Sequence, residues 1–303
     1  MQALRPTSFV CGLVVKAMYN NLKMSTIINK IESNLSGSSD NKNLRPLVTI
    51  SFDDGYASDY NVVFPIFQEL GLRGTFYALP VPNGATDEHM AEMAQAGQEI
   101  ATHGGAHIPY NIQPDVATIY NDMLAGKKRI ENATNKEVLT MAYPFGGGDS
   151  GTGTGTIENA LITQNVAGGL FEAARGTRQF TTTHAYGGKD VNHKFYRETY
   201  FTPYGTPDLF NIPCHLADGT PDWVITLIDY LLELDEPAWY NVAFHRIYTD
   251  GDSTKPSNRL YESEFRTVIE YIADKKKQKL LDVVPFYEGA RRITGARSNM
   301  LNK

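Results

Sequence analysis

Cysteine is nearly absent. Cys11 and Cys214 are the two in 303 residues, too few for a disulfide framework, and they leave the redox compartment undecided. No run of 18 apolar residues occurs, which excludes a membrane-spanning helix. A basic excess is missing as well: 28 Lys and Arg face 34 Asp and Glu, a net charge of −6. Nucleic acid is therefore not an expected partner. Charged residues make up 20% of the chain and hydrophobic residues 42%, which excludes a disordered polyelectrolyte and leaves enough apolar material for a large core. There is no internal repeat. The Gly/Thr stretch from Gly146 to Thr156 lacks the Gly-Lys-Ser/Thr ending of a phosphate loop and reads as a surface loop. What is present is length for one barrel-sized domain or two small ones. Tyrosine is also plentiful, 17 residues, giving room for stacking on sugar rings.

The ends read differently from the middle. Arg5 precedes the short apolar stretch Phe9–Val15, which Lys16 interrupts. This is either a weak export signal or a disordered leader, with Met24 as another possible start. Residues 34–44 form a polar linker, so 1–46 is assigned to leader and linker. The run after Gly289, with Arg291, Arg292, Arg297 and Lys303, reads as a basic tail over 291–303. The domain between spans 47–290.

Within it, strands and helices alternate. Val48–Phe52 is a β-rich run ending at Asp53-Asp54-Gly55. A helix follows over Asn61–Leu70, then a strand over Gly74–Leu79. The helix Asp87–Ala96 leads to the strand Glu99–Thr102, and the helix Asp115–Asn132 to the strand Val138–Tyr143. Later, Thr220-Pro221-Asp222 carries the signals of a helix start, with Thr220 as cap, and the helix reaches Leu234. A strand over Tyr240–Phe244, a helix over Ser263–Lys276 and a strand over Leu280–Val284 complete the pattern. This order predicts an α/β fold with a parallel sheet, whose site lies where strands end.

The polar residues stand at those ends. Asp53 and Asp54 are adjacent carboxylates that point apart in an extended segment, so one suits a cation and the other a base; a plain Asp-Asp-Gly turn is the competing reading. His103 and His107 flank Gly104-Gly105. Two imidazoles and a carboxylate make a facial set for zinc or a similar divalent ion, against two ordinary loop histidines. His245 ends an apolar strand, and a backbone amide in Tyr143-Pro144-Phe145-Gly146 is placed to meet an oxyanion.

Taken in order, these motifs resemble the NodB-type polysaccharide deacetylases, carbohydrate esterase family 4, over about residues 47–285. Ser51–Gly55, Gly97–His103 through His107, and Phe171–Thr177 carry the resemblance. It implies a distorted (β/α) barrel of about seven parallel strands holding a divalent metal, usually zinc. Asp54, His103 and His107 would be the ligands. Asp53 would be the base on metal-bound water, His245 the acid that protonates the leaving amine, and the backbone N–H of Phe145 an oxyanion donor. Acetyl groups, N-acetyl first, would leave a carbohydrate polymer or oligomer, which places the work outside the cytoplasm or in the cell envelope.

The chain departs from the family pattern at several points. Gly104 replaces a Ser or Thr that braces the histidine loop. Ala142 replaces an arginine that orients the base, and Arg197 is the expected substitute. The family's Asp-x-x-Asp-Trp motif has no clean counterpart, since Asp218 and Asp222-Trp223 have the wrong spacing. Ala243 replaces a pocket leucine, and Trp239 is the expected wall. Tyr56 and Tyr143 are candidates to meet the sugar. Three other readings compete: hydrolysis of a cyclic imide or ureide, a silent carbohydrate-binding barrel, and a magnesium site on the Asp pair. The intact ligand set counts against the first, retention of Asp53 and His245 against the second, and the histidines against the third.

Overall fold

The computed structural model describes residues 44–79, 84–113, 115–146, 157–176, 201–203 and 208–301. Within them, Leu44–Arg297 falls in one compact unit. β1 (Leu47–Asp53) is buried along its whole length, as expected of a parallel strand covered on both faces. It runs parallel to β2 (Thr75–Ala78) on one side and to β8 (Ala238–Phe244) on the other. A short β9 (Asp282–Val283) pairs with the start of β1, below the point where β2 begins. From β2 the sheet continues in parallel through β3 (Glu99–Thr102), β4 (Thr140–Ala142) and β5 (Ala173–Arg175). β6 (Phe201–Pro203) lies antiparallel on β8, and β7 (His215–Leu216) parallel to it.

Closure comes from the chain that leads into β7. Ile212 bridges Arg175 in parallel. Around that bridge Ala174 N–H donates to Leu209 O at 2.8 Å, Ile212 N–H to Ala174 O at 3.1 Å, and Gly176 N–H to Ile212 O at 2.9 Å. Segment 209–212 thus lies along β5, and a few residues later the same chain, as β7, lies along β8, which brings the sheet round towards β1. The expected distorted barrel of about seven parallel strands is what forms, with β6 and β9 added at its margins.

Strand parity sorts the side chains. Val48, Ile50 and Phe52 face outward into the core shared with the helices. There Phe52 stacks on Phe76 at 5.1 Å and meets Phe265 edge-on at 5.7 Å. The covering helices are α1 (Phe64–Leu70), α2 (Asp87–Gln95), α3 (Val116–Thr134), α4 (Ile157–Gly168), α5 (Pro221–Leu232) and α6 (Glu262–Lys277). Leu47, Thr49, Ser51 and Asp53 alternate to the inside. The end of the barrel where strands begin is plugged by apolar groups: Leu47, Trp239, Val284, Phe286, Ala290 and Ile293. Just above them Glu99 is buried yet fully engaged. It accepts from Thr75 and Thr140 hydroxyls at 2.8 and 2.5 Å and from Tyr287 N–H at 3.0 Å.

Three expectations are corrected. Residues 291–301 are not a tail: they continue α7, which runs over Phe286–Leu301. Ile293 and Ala290 face the plug, while Arg291 and Arg292 lie on the exposed side, paired with Glu172, Asp282 and Glu288. Gly289 is not a stop; it lets the helix pass against the Trp239 ring. Thr220 precedes α5 but makes no side-chain cap bond. Trp239 is fully buried in the plug, donating from Nε1 to Thr49 Oγ1 at 3.0 Å and packing on Phe286 at 4.9 Å. It sits near the start of β8, about 16 Å along the strand from its end, and walls no pocket at the other mouth. No helix among the described residues is long and apolar enough to cross a membrane.

Phe286→Ala should cost about 3–5 kcal/mol in urea unfolding. Truncating the half-exposed Leu280 should cost about 0.5 kcal/mol or less. Equal losses would refute the plug.

Candidate active site

The chemistry gathers at the mouth where the strands end. Asp53 is the last residue of β1 and points inward. Asp54 follows with φ of 76°, which turns its carboxylate over the rim. His103 comes directly after β3, its backbone N–H continuing the ladder to Ala78 O at 3.0 Å. Four residues on, His107 has φ of 52°, and after β4 Phe145 has φ of 56°. The described residues hold five non-glycine residues at positive φ. Asn135 and Lys279 sit at helix ends, where this conformation is routine. The other three are Asp54, His107 and Phe145. Such strain persists only where the surroundings enforce it.

Asp122 of α3 does the enforcing for the histidine loop. Its carboxylate accepts from Gly105 N–H at 2.9 Å, Ala106 N–H at 2.7 Å and the Tyr110 hydroxyl at 2.5 Å. Gly104 lies against that Tyr110 hydroxyl with φ of +88°, and a Cβ there would collide with it. The brace that a Ser or Thr at position 104 would supply thus comes from α3 instead.

Asp54, His103 and His107 place one ligand atom each within 4.8 Å of one another. Asp54 Oδ1 is 3.4 Å from His107 Nε2 and 3.7 Å from His103 Nε2. Those separations suit ligands about 2.0–2.2 Å from a shared ion in tetrahedral geometry. His103 Nδ1 lies 2.9 Å from Ala142 O. A carbonyl only accepts, so Nδ1 carries the proton and Nε2 faces the cluster with its lone pair. Burial holds the His103 ring below its ordinary pKa, against Asp53 and Asp54, and the neutral form is the one that ligates. The donor set fits a divalent ion of the zinc type better than magnesium or calcium.

Asp53 is the next piece. Arg175, at the end of β5 and 1% exposed, reaches both of its oxygens from Nη2 at 2.5 and 2.6 Å. Burial pushes the Asp53 carboxyl up, but Arg175, His103 and His245 together outweigh it and hold it below the usual range. Among the described residues, the arginine that holds Asp53 is Arg175. Arg197 lies outside the described residues. The Arg175 guanidinium is also laid over the Tyr77 ring at 4.9 Å.

His245 follows β8. Asp218 accepts from its backbone N–H at 2.9 Å and from Nδ1–H at 2.6 Å, and pairs with Arg259 at 2.7 Å. The β7–β8 register pairs His215 with Val242; three residues further along each strand, Asp218 comes level with His245. Burial alone would lower the imidazole. The Asp218 hydrogen bond and the charges of Asp53, Asp218 and Asp54 leave it above its ordinary value.

Residues 40–159 match the family described as polysaccharide deacetylase. The family hydrolyses amide C–N bonds of carbohydrates. A curated Bacillus subtilis (strain 168) protein, YxkH, which bears the name of a polysaccharide deacetylase, is 30% identical over 120 residues, 38% of this chain and 42% of that one. Among solved structures, the carbohydrate esterase domain of a multidomain xylanase from the hindgut metagenome of Trinervitermes trinervoides aligns with 81% of this chain and 89% of its own, at 15% identity and a TM-score of 0.48. A peptidoglycan N-acetylglucosamine deacetylase catalytic domain from Eubacterium rectale aligns at 14% identity and 0.46, covering 83% and 92%. A pseudoenzyme of the same family from Bacillus anthracis aligns at 14% and 0.46, covering 81% and 66%. Likeness at this level adds nothing to what the strand pairing already shows.

The deacetylase match includes Asp53, Asp54, His103, His107 and Phe145 and ends before Arg175, Asp218 and His245. Phe145 is 55% exposed, its ring 4.4 Å from that of His107, so it forms part of the rim. Tyr56 is half-buried beside Asp54 and lines a pocket next to the mouth. Tyr143 is corrected: 1% exposed, it donates its hydroxyl to Phe210 O at 2.9 Å. It anchors the closing segment and presents no face to a sugar.

In Asp218→Asn, the His245 pKa followed by NMR should fall, since the ring loses the anionic partner that favours its charged form. An unchanged value would deny Asp218 that role. In Arg175→Met, the acid limb of the pH–rate profile should move up, because Asp53 stays buried without its counter-charge. The protein should also lose about 3–5 kcal/mol of stability.

Proposed function

We propose that this chain is a metal-dependent hydrolase that removes acetyl groups, N-acetyl in the first instance, from a carbohydrate. One observation carries the reading. A carboxylate held below its ordinary pKa by a buried arginine and an imidazole raised above its own by a carboxylate stand with a three-ligand cluster at one barrel mouth. A base and an acid with opposed pKa shifts are what amide hydrolysis requires.

Asp54, His103 and His107 would hold the ion. When bound, such an ion acidifies water and polarises a carbonyl as a Lewis acid. Asp53 accepts the proton of the attacking water. Arg175 fixes the orientation of Asp53 and keeps it ionised near neutral pH. Phe145 N–H, on a backbone turned outward by its positive φ, meets the oxyanion. His245, supported by Asp218, returns a proton to the departing amine so that it leaves neutral. A catalytically silent carbohydrate-binding barrel has no use for a matched base and acid, each with its own buried partner. A polymeric substrate would place the protein at the cell envelope or outside the cell.

Acetate release from N-acetylglucosamine oligomers should require zinc reloading after chelation. Asp53→Asn should lower it by on the order of 10²–10⁴-fold, with zinc affinity by calorimetry retained. His107→Ala should lose the affinity itself. Tight zinc binding without acetate release from aminosugar oligomers, peptidoglycan or acetylated xylan would refute the deacetylase reading.

A further inference from the structure

Asp218 serves a second partner besides His245. Its Oδ1 accepts from the His245 backbone N–H at 2.9 Å. Its Oδ2 accepts from His245 Nδ1–H at 2.6 Å and lies 2.7 Å from Arg259 Nη1. One carboxylate oxygen thus carries an imidazole and a guanidinium together. Arg259 is no loose surface cation, since its side chain is 25% exposed and that of Asp218 11%.

The chain is built to bring Arg259 there. After β8 it runs out past Tyr248 and returns before α6. Tyr248 N–H donates to Leu260 O at 3.0 Å, Glu262 N–H donates to Tyr248 O at 2.7 Å, and Tyr248 bridges Tyr261 in parallel. Lys255 Nζ donates to Arg259 O at 2.5 Å. On the other side, Gly219 has φ of +79°, and a Cβ there would stand 3.0 Å from Cα and C of Asn258. The residue after Asp218 therefore makes room for the backbone just before Arg259.

Charge gives this placement its meaning. Asp53 and Asp54 from the end of β1 and Asp218 from the chain after β7 all favour the imidazolium form of His245. Arg259, from the chain before α6, is the cation on the shared oxygen. Tyr56, beside Asp54, also lies within reach of the Arg259 charge. Arg246, next to His245 in the chain, is turned onto the Tyr248 ring and towards Asp252. A general acid works best when its pKa lies near the working pH. Three carboxylates drive the ring the other way, towards a proton held too firmly to be given up. A guanidinium on the same oxygen opposes them. It repels the imidazolium and draws on the charge that Asp218 offers to Nδ1–H.

We infer that Arg259 is a positioning residue for the proposed acid: by sharing Asp218 Oδ2 with the His245 ring, it limits how firmly the imidazole keeps its proton. It thereby sets the pH above which the acid is lost. This rests on the reading of His245 as the acid in the deacetylase, and the two can fail separately.

The His245 titration would be followed by NMR, with equimolar zinc present, in wild type, Arg259→Met, Arg259→Gln and Arg259→Lys. The pKa should rise in the first two variants, which remove the charge, and stay at the wild-type value in the third, which keeps it. An activity that needs the protonated acid is lost as pH rises through that pKa. The alkaline limb of kcat/KM for acetate release from N-acetylglucosamine oligomers should therefore move to higher pH in the first two variants alone. Their plateau kcat should fall by roughly tenfold or less, since the acid is weakened and not removed. Their KM should change by less than about twofold, because Arg259 acts through Asp218 and not on the substrate. A pKa that falls would make Arg259 a mere fastener of Asp218, and an unchanged one would give it no hold on the ring. Either result overturns the inference, as would a rise in all three variants. If Arg259→Met does not fold, the contrast between Arg259→Gln and Arg259→Lys decides, and equal titrations overturn it. If no acetate is released by any of the proteins, the deacetylase reading fails, while the titrations still decide whether Arg259 governs the His245 proton.

Discussion

The buried pair of Arg175 and Asp53 is the contact on which this molecule turns. Two charges at 1% and 3% exposure survive only because each neutralises the other at hydrogen-bond distance. The pair joins β1 to β5 across 122 residues. Arg175 is also the residue that bridges to Ile212 and closes the barrel. The bridge to Ile212 and the pairing of Asp53 therefore meet at one residue, the first through the backbone on either side of it and the second through its guanidinium. A barrel that failed to close would leave a buried carboxylate unpaired, and desolvation would then protonate it.

Around this pair the mouth is built from hydrogen bonds that convert loops into fixed geometry. Asp122 holds the histidine loop, Ala142 sets the tautomer of His103, and Asp218 sets that of His245. Each partner comes from an element different from that of the residue it serves. The opposite mouth is sealed with aromatic and aliphatic groups from β1, β8 and α7. The barrel thus has an apolar end that supplies stability and a polar end that gathers the ionisable groups. Strain is concentrated at the polar end, in Asp54, His107 and Phe145.

Much of this was legible in one dimension. Asp53-Asp54, His103-x-x-x-His107 and Pro144-Phe145-Gly146 are local motifs at the ends of strands. The strands announce themselves by short β-rich runs. The helix α7 was missed because its arginines are spaced like those of a tail, and its apolar residues, Ala290 and Ile293, are too few to reveal a face. Trp239 and Tyr143 were misplaced because a lone aromatic at a strand carries no mark of which end or face it occupies. Asp218 was dismissed on spacing, although it stands just past a strand, as the other site residues do. The strand before it, His215–Leu216, is too short to show a period.

By itself the sequence determined the parallel α/β alternation and marked Asp53-Asp54, His103-x-x-x-His107 and His245 as polar groups at strand ends, because each strand and each motif is written in a short run of chain. Only the tertiary structure decided which arginine holds Asp53, which carboxylate holds His245 and which aromatic residues face the plug instead of the mouth. Those choices depend on strand register and on barrel closure. Both are set by hydrogen bonds between segments far apart in the chain, and spacing along it does not record them.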